Sequence, residues 1–264
     1  MSNPIVSVSH LSKKFTRDFG KSLRHGASDI LRRGLGFERP IDHLRQDEFW
    51  ALEDISIEVS KGEILGVIGR NGSGKTTLMR IVAGIYPADK GIVKTAGKIL
   101  AMFAIKSGMQ PQLTGRENIY LKSYMLNIPK EEVDRNIDKI IAFADIADSI
   151  DTVLGSYSMG MRSRLAFAIA TCAKPDIFII DEGLAVGDHA FRLQCFDYLK
   201  SISAEVAILF VTNNVKQAEM LATKILVLNK GKTVFMSADV KQGVDQYLQL
   251  TLPKSTLDNH DGLF

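Results

Sequence analysis

Nine residues at positions 69–77, "GRNGSGKTT", carry the spacing G-x-x-x-x-G-K-[ST]. They follow the apolar run "ILGVI" and precede the helical run "TLMRIVAGI", so the motif lies between a strand and a helix. Glycines at this point let backbone N–H groups turn toward a β-phosphate, and the helix N-terminus adds positive potential. We expect Lys75 to reach the β- and γ-phosphates and the Thr76 hydroxyl to ligate Mg²⁺. The residues predicted to bind ATP here, called the phosphate loop below, are Gly69, Arg70, Asn71, Gly72, Ser73, Gly74, Lys75, Thr76 and Thr77.

A second apolar run, "IFIIDE" at residues 177–182, ends in two acids. An acid at the carboxyl end of a strand lies where ligands bind in open α/β sheets. We expect Asp181 to hold Mg²⁺ through water and Glu182 to polarise the attacking water as the general base. Such a run is weak evidence by itself, but it complements the phosphate loop, and together they predict ATP hydrolysis.

The elements that must position these motifs are short β-branched runs separated by helical stretches. Several runs are apolar at consecutive positions, as buried parallel strands are, which indicates an α/β fold with a largely parallel sheet. A helical subdomain is predicted over 115–172, where Thr114 and Glu117 form a capping box at its start. The predicted strands are 5–9, 54–59, 64–68, 177–181, 207–211 and 225–228.

Bulk properties restrict the kind of partner. The net charge of +3 argues against a dedicated nucleic-acid binder. No stretch approaches the roughly 18 apolar residues of a membrane span, and "MSNPIVSVSHLSKKF" lacks a signal-peptide core. Two cysteines without metal-like spacing suit a reducing compartment. We therefore expect a cytoplasmic location, with any membrane role exerted through a partner or a surface contact.

A basic insert at 16–48 interrupts the N-terminal strands. Its apolar residues at 23, 27, 30, 31 and 35 share one helical face, and most of its Lys and Arg side chains lie off that face. Two interpretations remain open: a short helix packed on the protein's own surface, or a basic amphipathic element that faces a membrane or an anionic ligand. Residues 1–252 are expected to form a single domain, and 253–264 a loose tail.

The run "YSMGMRSRLAFAIA" at 157–170 resembles the signature region of the nucleotide-binding subunit of ABC transporters. Ser158 and Gly160 match the LSGGQ pattern. The resemblance implies that this loop binds the γ-phosphate of ATP held by the opposite subunit of a homodimer, where a helix N-terminus favours an anion. It also implies a P-loop NTPase core with a mixed, largely parallel sheet, an inserted helical subdomain and a small N-terminal antiparallel sheet.

Three further residues follow from the same resemblance. "LSKKF" makes Phe15 the candidate for stacking on adenine, with Trp50 as the alternative. "LAVGDHAF" resembles the D-loop, with Asp188 at its acid. In "GMQPQLTGREN", Gln110 is the glutamine nearest to the Q-loop position, a catalytic and Mg²⁺-binding role in the family, although the family's glutamine usually lies several residues before the proline.

The motifs "LTGREN" and "YS-G-MRSRLAF", together with the basic insert, resemble the ATPases that export capsular polysaccharide, O-antigen and teichoic acid. The resemblance implies a subunit peripheral to the cytoplasmic face of the inner membrane. It also implies a separate multi-span permease as partner and a polysaccharide or glycolipid as the indirect substrate, with no nucleic acid. Anionic glycolipid head groups would suit the basic insert.

One position departs from the family. The strand "AILFV" is followed by "TNN", which places Asn213 where ABC ATPases carry a switch histidine that contacts the γ-phosphate. An amide can donate a hydrogen bond to a phosphate oxygen, but it cannot carry a positive charge or shuttle a proton. Asn213 either makes an altered γ-phosphate contact or merely caps the strand. The alternatives to an exporter ATPase are a soluble ABC ATPase without a transporter and a slow ATP-dependent switch.

Overall fold

The structure is a computed structural model that describes residues 3–17, 44–103, 108–181 and 188–251. Within these residues the strands are β1 (Val6–Thr16), β2 (Glu48–Val59), β3 (Ile64–Ile68), β4 (Lys90–Thr95), β5 (Ile99–Met102), β6 (Ile177–Asp181), β7 (Ala207–Thr212), β8 (Lys224–Asn229) and β9 (Lys232–Ser237). The helices there are α1 (Lys75–Val82), α2 (Gly115–Met125), α3 (Lys130–Ala144), α4 (Met159–Ala170), α5 (His189–Ile202), α6 (Val215–Leu221) and α7 (Val240–Thr251).

The larger sheet has six strands in the order β5-β6-β7-β3-β8-β9. Strands β5, β6, β7, β3 and β8 are parallel, and β9 pairs with β8 in the antiparallel sense. Every residue of β3, β6 and β7 is buried. These strands are apolar at nearly every position because both faces of a parallel sheet are covered. The predicted mixed, largely parallel sheet is confirmed.

A smaller antiparallel sheet has the order β2-β1-β4, which confirms the predicted N-terminal sheet. The far end of β1 pairs with the start of β2, Thr16 opposite Glu48, so the basic insert leaves and rejoins the sheet at neighbouring points. The helical face predicted within the insert lies in 18–43, outside the described residues. Apolar side chains of this sheet, of the larger sheet and of α1 pack together in one core.

The predicted strands at 5–9 and 54–59 are too short. Strand β1 continues to Thr16 and β2 begins at Glu48, through polar residues whose pairing is interrupted by bulges. Strands β4 and β9 were not predicted because their side chains are largely exposed and give no apolar alternation. Backbone pairing with β1 and β8, rather than burial, accounts for these two strands.

Helices α2, α3 and α4 occupy the region predicted to be helical. The capping box is present: the Thr114 hydroxyl accepts from the Glu117 N–H at 3.2 Å, and Glu117 Oε2 accepts from the Thr114 N–H at 2.7 Å. The aromatic rings of Phe143, Phe167 and Phe191 join α3, α4 and α5, with centroids 5.7–6.3 Å apart. This aromatic cluster holds the signature helix α4 against the α/β core.

The predicted tail at 253–264 lies outside the described residues. Within the described part of the chain, no helix combines the length and the apolar character needed to cross a membrane.

Candidate nucleotide site

Strand register brings three predicted residues to one edge of the larger sheet. In the β3–β7 pair Ile68 lies opposite Thr212, and in the β6–β7 pair Asp181 lies opposite Val211. Gly69 therefore begins the phosphate loop at the same level at which Asp181 ends β6 and Asn213 follows β7. This is the carboxyl edge of a parallel sheet, where open α/β folds bind ligands.

The phosphate loop needs its glycines for steric reasons. Gly72 and Gly74 have φ of 78° and 104°, and Gly74 is the N-cap residue of α1. A Cβ on Gly74 would lie 2.7 Å from the Ala51 carbonyl oxygen. A Cβ on Gly69 would collide with the Leu228 carbonyl oxygen and lie 2.5 Å from the Ser73 Oγ. The loop is therefore packed tightly against β2 and β8, and its backbone path is set by these contacts.

Lys75 lies across the loop to which it belongs. Its Nζ donates to the carbonyl oxygens of Gly69 at 2.7 Å and Arg70 at 3.1 Å, and the residue is 6% exposed. Thr76 and Thr77 are half-buried in the first turn of α1. The arrangement places an ammonium, a hydroxyl and the N-terminus of a helix around one point, which suits an anionic phosphate group.

A cavity of about 540 Å³ adjoins this loop. Its lining includes three aromatic residues of the small sheet, Phe15, Phe49 and Trp50, and residues 71–77 of the phosphate loop. Phe15 packs edge-on against Tyr86 at 5.8 Å. Lys90 lies over the Trp50 ring at 5.2 Å. Both Phe15 and Trp50 line the cavity, so both remain candidates for stacking on a planar base. The hairpin residues Lys230 and Gly231, which sequence reasoning missed, complete the lining.

Of three further predicted site residues, the structure describes Asp181 and Gln110. Asp181 is 8% exposed at the end of β6, whereas Glu182 lies outside the described residues. Gln110 is exposed on the loop before α2 and does not line the cavity. Its backbone is held by Asn118, which is fully buried and accepts from the Gln110 N–H at 2.7 Å. Asn118 follows the capping box directly, on a buried helix face that it shares with Ile119, Lys122 and Ser123, and sequence reasoning did not single it out.

The signature helix presents an open N-terminus. Ser158 is the N-cap residue of α4, and its Oγ accepts from the Met161 N–H at 3.1 Å. A Cβ on Gly160 would meet only the Ser158 Oγ, at 3.7 Å, so the first turn faces open space. Tyr157 anchors the turn from beneath: its hydroxyl donates to the Ser149 carbonyl at 2.6 Å, and burial raises its pKa. The Tyr157 hydrogen bond thus holds the start of α4 in place, while the space beside Gly160 is open.

Asp188 is engaged within its own subunit. It is the N-cap residue of α5, with its Oδ1 accepting from the Phe191 N–H at 2.9 Å, and its Oδ2 pairs with Arg164 of the signature helix. The Phe191 N–H, and then the guanidinium, hold the pKa of Asp188 below its ordinary range. Arg164 also binds Asp145 at 3.1 Å. The D-loop acid is therefore tied to α4, a link that sequence reasoning missed although Arg164 lies within the signature run.

The two asparagines after β7 have different environments. Asn214 is the N-cap residue of α6, and its Oδ1 accepts from the N–H groups of Lys216 at 3.0 Å and Gln217 at 3.4 Å. Asn214 is therefore the residue that caps the helix. Asn213 is exposed at the carboxyl edge of the sheet, one residue beyond Thr212.

Comparisons with a family model and with individual relatives agree on one family. The model of the family described as ABC transporter matches residues 52–185. The chain is 36% identical over 225 residues to the O-antigen export system ATP-binding protein RfbB of Klebsiella pneumoniae, covering 85% of this chain and 89% of that protein. It is 41% identical over 220 residues to the teichoic acids export ATP-binding protein TagH of Bacillus anthracis, covering 80% of this chain but only 40% of TagH.

Solved structures share the fold at low sequence identity. An ATP-binding cassette in a dimeric, post-hydrolysis state bound to ADP and Pi superposes with a TM-score of 0.65 at 17% identity, covering 88% of this chain and 97% of that one. The ATP-binding subunit of an ABC transporter superposes with a TM-score of 0.66 at 18% identity, covering 96% of both chains. On the family match and the extent of its similarity to RfbB, the chain belongs to the ABC transporter family.

Proposed function

We propose that this chain is the ATP-binding and ATP-hydrolysing subunit of an exporter that moves a cell-surface polysaccharide or glycolipid across the cytoplasmic membrane. The observation that carries the proposal is the phosphate loop, with Lys75 held across it, at the same carboxyl edge of the sheet at which β6 ends in Asp181. Similarity to proteins named for O-antigen and teichoic acid export supports the substrate class.

Magnesium fits the oxygen donors at this edge. Thr76 lies in the first turn of α1, and Asp181 supplies a buried carboxylate at the end of β6, which β7 separates from β3. Within the described residues no group of three or more His, Cys, Asp and Glu side chains forms a metal cage. Mg²⁺ is usually held by one or two protein oxygens together with substrate phosphates. Thr76 and Asp181 would hold the ion, which would offset charge on the phosphates. Gln110, the third predicted ligand, does not line the cavity in this structure.

Two copies of the chain would complete each site. The cavity beside the phosphate loop is lined by neither Ser158 nor Gly160, although the N-terminus of α4 is open. A second subunit that turns its own Ser158 and Gly160 toward the cavity would supply N–H donors to the γ-phosphate. Glu182 would act as the general base, and the homodimer would close around two ATP molecules.

The export role requires a separate multi-span permease, and it would place the chain at the cytoplasmic face of the membrane. We further propose that residues 1–252 act as one domain, with 115–172 as the helical subdomain and 253–264 as a tail. The basic insert at 16–48 would lie near the membrane, where its Lys and Arg side chains suit anionic head groups.

A slow ATP-dependent switch is the second candidate, and the position of Asn213 favours it. Asn214 serves as the helix cap, and Asn213 is exposed at the carboxyl edge of the sheet, where the proposed site would hold the γ-phosphate. An amide there could sense a phosphate oxygen but could not gain the charge of a protonated histidine. ATP would then bind and close the dimer, while hydrolysis would be slower than in a histidine-bearing relative.

The experiment measures ATP turnover of the chain together with its permease, for the parent, Asn213→His and Glu182→Gln. We expect Glu182→Gln to abolish turnover while ATP binding persists, and Asn213→His to raise turnover. Unchanged turnover in Asn213→His would remove the slow-switch candidate. Failure of the chain to co-purify with any multi-span membrane protein would favour a soluble ABC ATPase over an exporter.

A further inference from the structure

The hairpin that joins β8 to β9 has an unusual residue at its tip. Its two loop residues are Lys230 and Gly231, since Asn229 pairs with Lys232. Their φ angles are 47° and 79°, both in the left-handed region that a two-residue hairpin of this hand requires. Asn-Gly, Asp-Gly and Gly-Gly are the usual pairs at such a turn, because a long side chain is strained at positive φ. A lysine therefore occupies a position at which local backbone preference would favour another residue.

Two hydrogen bonds fix this hairpin in the nucleotide site. The Gly231 N–H donates to the Ser73 carbonyl oxygen at 3.0 Å, and the Gly231 carbonyl accepts from the Glu53 N–H at 2.8 Å. A Cβ on Gly231 would lie 2.7 Å from the Ala51 carbonyl oxygen. The tip of the hairpin is thus wedged between the phosphate loop on one side and β2 on the other.

The same hairpin bridges the two ends of the cavity. Ser73 belongs to the phosphate loop, where the β- and γ-phosphates are expected, while Ala51 follows Trp50, one of the aromatic residues at the base-stacking end. A side chain that projects from between these ends into the cavity meets the middle of a bound nucleotide. That part is the ribose and the α-phosphate. Lys230 is exposed and lines the cavity at this place.

The charge of Lys230 is available to a ligand. Within the described residues its ammonium forms no ion pair, whereas the neighbouring Lys232 binds Glu53 at 3.1 Å. Lys75 lies across the phosphate loop, where the β- and γ-phosphates are expected. A bound α-phosphate would therefore meet in Lys230 a cation that has no competing carboxylate.

We propose that Lys230 is a nucleotide-binding residue that contacts the ribose and α-phosphate region, supplied by the β8–β9 hairpin outside the motifs that define the site. The proposal rests on the proposed function, because it takes ATP as the ligand. It explains why a lysine occupies a left-handed position whose flanking residue is bonded to the phosphate loop.

The test compares the affinity of the full chain for ATP and for ADP, measured by isothermal titration calorimetry. Lys230→Asn removes the charge but suits positive φ, so the hairpin should remain folded. Lys230→Arg keeps the charge. Lys232→Asn is the matched control, since it removes a lysine from the same hairpin that does not line the cavity.

We expect Lys230→Asn to raise the Kd for ATP and for ADP by the same factor, about fivefold, because both nucleotides carry the α-phosphate. Lys230→Arg and Lys232→Asn should bind within about twofold of the parent. An unchanged Kd in Lys230→Asn would overturn the proposal, as would a loss confined to ATP, which would place the ammonium at the γ-phosphate instead. A parent chain that binds neither nucleotide would refute the proposed function itself, which is a separate result from an unaffected variant.

Discussion

Replacing Thr212 with valine tests the link between the end of β7 and helix α6. Thr212 is 4% exposed, and its hydroxyl makes two hydrogen bonds. It donates to Gln217 Oε1 at 2.7 Å and accepts from the Asn214 N–H at 3.0 Å. Asn213 lies between the strand and the helix that this hydroxyl joins. Valine has nearly the same shape, so the substitution removes the hydrogen bonds with little change in volume.

The stability lost in Thr212→Val depends on which hydrogen-bond partners of the hydroxyl stay buried without a replacement. Gln217 is 7% exposed, so its Oε1 loses a donor that water cannot readily replace, at a cost of about 1–3 kcal/mol. The Asn214 N–H is only partly buried, and water can satisfy it at smaller cost. The expected loss in the free energy of unfolding of Thr212→Val is therefore about 2 kcal/mol. For a chain of this size that corresponds to a fall in Tm of roughly 4–8 °C.

The assay is urea unfolding of the full chain followed by circular dichroism, supported by thermal melts. Thr212→Ser is the control, because it keeps the hydroxyl and loses one buried methyl group, at a cost of about 0.8 kcal/mol. Thr212→Val should be the less stable of the two variants. If Thr212→Val unfolds at the same urea concentration as the parent, or at a higher one than Thr212→Ser, the hydroxyl does not join the strand to the helix as described.

Three further outcomes are expected. Gly231→Ala should lower the free energy of unfolding by about 1–3 kcal/mol, because φ is 79° and the new Cβ would approach a β2 carbonyl. The same substitution should weaken ATP binding. Equal affinity of the variant and the parent in a calorimetric titration would contradict this. Arg164→Met should lower Tm by about 2–4 °C at low salt, and the difference should shrink as salt is added, since the ion pair with Asp188 is partly exposed. Asp176 has a pKa lowered first by Lys61 and then by the Lys98 N–H, so its contribution to stability is present above the ordinary carboxyl pKa of about 3.9 and is lost as pH falls through the lowered value. The stability difference between the parent and Asp176→Asn, followed by thermal melts, should therefore shrink in acid; a difference that is constant between neutral and acidic pH would show that the ion pair contributes nothing.

Much of the fold follows from local patterns. The consecutive apolar residues of β3, β6 and β7 predict buried parallel strands, and Thr114 with Glu117 predicts the start of α2. Strands β4 and β9 could not be predicted in this way, because they are stabilised by backbone pairing with β1 and β8 and expose at least half of their side chains. Such pairing depends on which strand lies alongside, and a single sequence carries no direct signal for it.

The candidate site, like the fold, was predicted in part from the sequence and in part needed the structure. The phosphate loop is a contiguous motif whose glycines, Lys75 and following helix prescribe their own local geometry, so the sequence by itself was enough to predict a nucleotide site after β3. The family resemblance likewise rests on short motifs that can be read without knowing their neighbours. Strand register was needed to place Gly69, Asp181 and Asn213 at one edge.

Only the tertiary structure decided what the side chains around these motifs do. It assigns the helix cap to Asn214 and leaves Asn213 exposed, ties Asp188 to Arg164, and brings Lys230 into the cavity through a hairpin bonded to Ser73. Each of these facts depends on groups that are distant in sequence or on a choice between adjacent identical residues. The physical reason is that local backbone preference acts over a few residues, whereas hydrogen bonds and packing act between whichever groups the fold brings within about 3–4 Å.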